Sequence, residues 1–117
     1  MSTSYDFIDL SYIEQVSNGD KAYEKEVLEL FVECMLTDLE TVKVHFDAGD
    51  YHQLRKTLHY MLPNMSIVGL DLRLREELDA LDHEQPNTAR HIDHIDRICF
   101  LCTKARLEAI ILLRSSF

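Results

Sequence analysis

An all-α fold, an up-and-down four-helix bundle with a short extra N-terminal helix, is what this 117-residue sequence predicts. Three observations lead there. Punctuation is sparse: the chain holds three glycines and two prolines. The segments between them are long and carry apolar residues at helical spacing. No stretch shows the apolar–polar alternation of a half-buried strand, and no internal repeat is visible.

Each element has its own signals. Ser11 opens the first helix, with Glu14 completing a capping box. Ser17-Asn18-Gly19 ends it. Asp20 caps a second helix that runs to about Ala48. Its inward stripe is Leu28, Phe31, Met35, Leu39, Val42 and Phe46. Gly49 stops it, and Asp50 caps the third helix with Gln53 in the supporting position. The third helix buries Leu54, Leu58, Met61, Met65 and Val68, spaced i, i+4, i+7, i+11 and i+14. Gly69 ends it. Asp71 caps a fourth helix with Leu74, Leu78 and Leu81 inward. His83 to Pro86 reads as a loop, and Asn87 or Thr88 starts a last helix reaching roughly Leu113. Residues 1–8 are expected as an N-terminal tail, 9–114 as the bundle domain and 115–117 as a C-terminal tail. The short first helix is expected across one end of the bundle.

Composition narrows the function. Apolar residues make up 46% and charged residues 28%, as in ordinary globular domains. Twenty-one acids against twelve bases give a net charge of −9. That charge opposes nucleic acid and anionic membrane as partners, since phosphate needs Lys and Arg to neutralise it. A protein partner fits better. The start carries no secretory pattern, and Ala109-Ile-Ile-Leu-Leu113 is too short to span a bilayer. Cys34, Cys99 and Cys102, few and odd in number, point to free thiols in a reducing cytoplasm.

His59 stands out on the third helix. At about 100° per residue it points roughly 140° away from the centre of the buried seam. An exposed imidazole on a rigid helix can serve as base, ligand or nucleophile, or be an incidental surface residue. His52, seven residues earlier, reads as a surface residue. Met61 and Met65 belong to the seam.

Around His59 the stretch Leu58-His59-Tyr60-Met61-Leu62-Pro63, with Gly69 several positions on, resembles the histidine-containing phosphotransfer (HPt) domain. The Asp9-Leu-Ser-Tyr-Ile start, the long second helix and the Ala48-Gly49-Asp50 link are similar too. The likeness runs from about Asp9 to Leu113. The family's pattern has lysine and glycine where this chain has Leu62 and Pro63, although some members carry the leucine–proline pair. Pro63 also removes the amide that would bond to the carbonyl of His59, so a kink is expected beside the site.

The resemblance implies that His59 accepts a phosphoryl group from a receiver-domain aspartyl phosphate and passes it to another receiver. Arg55, Lys56 and Ser66 are the expected supports for that group. Tyr60, Leu62 and Pro63 are the expected docking surface, completed by the second helix. No cofactor is expected on this chain; Mg²⁺ belongs to the partner receiver. Receiver domains of a hybrid kinase or response regulator are the expected transient partners of a monomeric, stand-alone relay protein. No nucleotide-binding loop is visible, so autonomous kinase activity is not expected. The alternatives are a bundle that docks such domains without transferring phosphate and, more weakly, a metal-binding bundle. His91, His94, Cys99 and Cys102 suggest metal, but His91 and Cys102 stand roughly 16 Å apart along one helix. Cys99 and Cys102 fit a core better. Glu76, Glu77, Asp79, Asp93 and Asp96 read as a solvated acidic face.

Overall fold

Helix caps set the chain's path. The structure, a computed structural model, describes residues 5–83 and 88–117. The described residues form six helices and no strand: α1 (Ser11–Ser17), α2 (Lys21–Asp47), α3 (Tyr51–Ser66), α4 (Leu70–Arg73), α5 (Arg75–His83) and α6 (Ala89–Ser116). Asp20 accepts the Tyr23 amide, Asp50 the Gln53 amide and Thr88 the His91 amide, so three N-termini are capped by side chains. Asn18 and Gly19 turn left-handed after α1, and Gly49 does the same after α2.

The capping box expected at Ser11 does not form. The Asp9 carboxylate instead accepts both the amide and the hydroxyl of Ser11, at 2.9 and 2.6 Å. These bonds hold the Asp9 carboxyl below its ordinary range.

The expected fourth helix is two helices. Gly69, at φ 76°, turns the chain so sharply that α4 starts at once, with Asp71 inside its first turn and not capping it. Leu74 then leaves helical geometry and α5 begins at Arg75. Leu74 is fully buried, so the break keeps both segments seated on the core. His83 belongs to α5; Glu84 to Asn87, the rest of the expected loop, lie outside the described residues.

Packing follows the apolar stripes. α2 lies against α3 and α6, α5 lies against α6 and more lightly α3, and α1 touches α2. Leu28, Phe31, Met35 and Val42 of α2 meet Leu54, Leu58, Met61 and Met65 of α3 in one core. Leu39 and Phe46, also expected inward, are half-buried. The longest helix, α6, contributes Ile95, Ile98, Leu101, Cys102, Ala105, Ala109 and Leu112. Twenty-eight residues at about 1.5 Å each nearly account for the molecule's 44 Å length. His91, 0% exposed, meets the Tyr51 ring edge-on, with centroids 5.2 Å apart. Glu77 is not purely solvated: it accepts from Arg97 at 2.7 Å and ties α5 to α6.

Of the stretch expected as an N-terminal tail, residues 1–4 lie outside the described residues, and residues 5–8 run along the helices. Glu108 on α6 accepts the amides of Asp6, Phe7 and Ile8 at 2.9 to 3.1 Å. Ile8 is buried, Phe7 packs edge-on against Phe100, and the Asp9 amide donates to the Val68 carbonyl. At the other end α6 continues to Ser116, and Phe117 packs on the core. None of the helices is long and apolar enough to cross a membrane, among the described residues.

Candidate functional site

His59 sits past the middle of α3. Its position follows from the helix: Leu54, Leu58, Met61 and Met65 are at most 4% exposed and fix the inner face, so residue 59 turns outward. The His59 side chain is 61% exposed. Its Nε2 lies 3.3 Å from Oδ1 of Asp82 on α5, whose side chain is 43% exposed.

Beside this pair is a cavity of about 260 Å³ between α3 and the α4–α5 segment. Leu58, Leu78 and Leu81 supply apolar lining; Arg55, Arg75, Asp79 and Asp82 bring charge. Leu62 and His59 share this lining. Arg55 Nη1 donates to the Leu81 carbonyl at 3.5 Å. A guanidinium near the C-terminal carbonyls of a helix is favoured by the helix dipole. So Arg55, expected as a phosphoryl support, lies in the same cavity as His59 but also fastens α5 to α3.

The other expected supports are not brought into that cavity. Lys56 is exposed on α3 and does not line it. Ser66 stands two turns beyond His59, about 10 Å along the axis. Its hydroxyl donates to the Pro63 carbonyl at 2.7 Å. There it serves the end of α3, where the chain tightens through bonds from Ile67, Val68 and Gly69 to carbonyls three residues back.

The expected docking residues divide. Tyr60 is 80% exposed, and Pro63 is also exposed. Leu62 is half-buried and turns toward the cavity, so it belongs to the packing under His59 more than to an outer surface. The reason is angular: three residues past His59 is about 300°, which swings Leu62 back toward α5. On α2, Leu30 is 54% exposed. Its neighbour Phe31 accepts the Asn64 side-chain amide through its carbonyl at 3.4 Å, which sets that level of α2 beside α3. Leu30 is thus an apolar surface residue of α2, at the level of the Phe31–Asn64 contact, that the sequence did not specify. α3 runs through Pro63 as one helix from Tyr51 to Ser66. Proline has no amide hydrogen, so the His59 carbonyl lacks its helical donor.

Asp82, Arg75 and Asp79 are the residues that sequence reading missed at this site. Asp79, expected on a solvated face, lines the cavity with Asp82. The signal was present but indirect: Asp82 is four residues past Leu78, on the flank of an inward stripe. Which helix that flank faces depends on how α5 crosses α3.

The two cysteines of α6 are half-buried (Cys99) and buried (Cys102). Burial pushes the Cys99 thiol up to about 11 and the Cys102 thiol to about 12, and metals bind the thiolate. No three His, Cys, Asp or Glu side chains converge as a metal set among the described residues. No disulfide joins the cysteines. Against known proteins, no family model, no curated protein and no solved structure matches this chain.

Proposed function

We propose that this chain is a histidine phosphotransfer protein of the HPt type, in which His59 takes a phosphoryl group from a receiver-domain aspartyl phosphate and hands it to a second receiver. In this reading α2, α3, the α4–α5 segment and α6 are the four helices of the bundle, and α1 closes one end. The observation that carries it is the exposed imidazole of His59 on a helix whose opposite face is wholly committed to the core.

The chemistry asks three things of the chain. It needs a neutral ring nitrogen open to an incoming phosphorus, a rigid base and a surface for the donor. Helix α3 supplies the base, and Tyr60 and Pro63 on the same helix supply exposed apolar area. Arg55 and Arg75 bring positive charge near the site in place of the family's lysine. The partner's carboxylates and Mg²⁺ neutralise the transferring oxygens, so this chain holds no cofactor. Partners are receiver domains, engaged transiently by a cytoplasmic monomer.

One observation favours a second reading, a bundle that docks receivers without carrying phosphate. Asp82 puts a carboxylate 3.3 Å from His59 and Asp79 lines the same cavity, whereas the family's lysine brings positive charge. Onward transfer separates the two. The chain, labelled by a phosphorylated receiver and repurified, is offered to a second receiver. A relay delivers the label; a docking module never acquires it.

A further inference from the structure

The cavity between α3 and the α4–α5 segment has the make-up of a ligand pocket. Its deepest residues are Leu58 and Leu81, 4% and 1% exposed, and Leu62 and Leu78 are half-buried beside them. Leu72 on α4 also lines it and is 65% exposed. Five leucines thus face a space of about 260 Å³, and apolar lining in contact with water favours an apolar occupant. Pockets for drug-sized molecules start near ~300 Å³, so this one suits something smaller.

Charge in the lining selects the sign of that occupant. Asp71, Asp79 and Asp82 stand against Arg55 and Arg75. The Arg55 guanidinium is engaged by the Leu81 carbonyl. Arg75 is exposed, and its long stem lets the head group stay in water. The aspartates have short stems and stay at the cavity. The side chains of Asp71 and Asp79 have no ion-pair partner among the described residues. An anion entering here meets three carboxylates; a cation finds two of them unpaired.

We propose that this cavity binds a small apolar amine, its hydrocarbon body on the leucines and its ammonium among Asp71, Asp79 and Asp82. His59 lines the same cavity, so an occupant covers one side of the imidazole and slows phosphoryl uptake. That regulatory half rests on the reading of His59 as phosphoacceptor. The binding half does not.

The test is methyl NMR of the leucines during titration with phenethylamine, which is charged at neutral pH. The methyls of Leu58, Leu62, Leu72, Leu78 and Leu81 should shift together and saturate with a dissociation constant of about 0.1–1 mM, as expected for so small a ligand. Phenylpropionate, of similar body and opposite charge, should bind about tenfold more weakly. Asp79→Asn, at an exposed position, should keep the folded spectrum and weaken the amine about threefold. Leucines unmoved by millimolar amine, equal binding of the acid, or an affinity unchanged in Asp79→Asn would each overturn the site. Phosphoryl uptake from a phosphorylated receiver, measured with rising amine, should fall with the midpoint seen by NMR. Uptake unchanged at saturating amine would overturn the regulatory half. If the leucines shift as expected but no receiver labels the chain, the binding site stands and the phosphoacceptor reading fails.

Discussion

At the scale of single residues, a side chain's partner matters more than its type. Glu24 is a buried carboxylate, 6% exposed, at the start of α2. It accepts the Ser17 hydroxyl at 2.5 Å and the Lys21 ammonium at 3.2 Å. The Ser17 bond leads in holding its carboxyl below the ordinary 4.5. A lowered carboxyl stabilises the fold fully above its unfolded value and loses that contribution as pH falls through the folded value. Ser17→Ala should therefore cost about 1–3 kcal/mol at neutral pH. Urea unfolding should show the gap between variant and wild type closing below roughly pH 4. Ser17 was legible only as part of a helix stop, because nothing local shows that Glu24, one helix later, folds back onto it. His59 was legible because its angle to the seam depends on α3 alone. Asp82 was not, because its meeting with His59 depends on two helices packing.

Helices repeat this contrast. The α3 seam was readable because a long amphipathic helix encodes its own inner face: Leu54, Leu58, Met61 and Met65 are buried, as is Val68 just past the helix end. The caps Asp20 and Asp50 were readable for the same local reason. The break at Leu74 was not: Leu74 itself fits the inward stripe, and the departure follows from turning at Gly69 while keeping both segments on the core. A side chain at Gly69 would meet Asp9 Cβ at 3.1 Å, so that joint also depends on the chain's first residues. Pro63 offers a test at this scale. It deprives the His59 carbonyl of its helical donor, yet α3 continues past it. Pro63→Ala should restore that bond and raise stability by about 1–2 kcal/mol, the helix gain less the added freedom of the unfolded chain. Denaturant titration measures it, and a fall in the midpoint would show that proline shapes this end of α3 favourably.

Over the whole molecule, the N-terminal strand of chain acts as a strap. Glu108 gathers three successive amides, Arg73 bonds to the Asp6 carbonyl, and Ile8 is buried in the core. No periodicity marks residues 5–8, and the partner that orders them lies about a hundred residues away. Glu108→Ala should release the strap. Hydrogen exchange at Asp6, Phe7 and Ile8 should accelerate strongly while the α3 seam stays protected, with a global loss of about 1–3 kcal/mol. Equal acceleration in α3 would mean that the strap and the bundle open as one unit. The bundle itself exists, in this reading, to hold one imidazole in reach of a partner's phosphate. The most direct measurement is phosphoryl uptake from a panel of phosphorylated receivers, with wild type and His59→Gln side by side. Acid-labile, alkali-stable label on the wild type and none on His59→Gln is the expected result. Equal labelling of both proteins, or none on the wild type from receivers that label a control phosphotransfer domain, would contradict it.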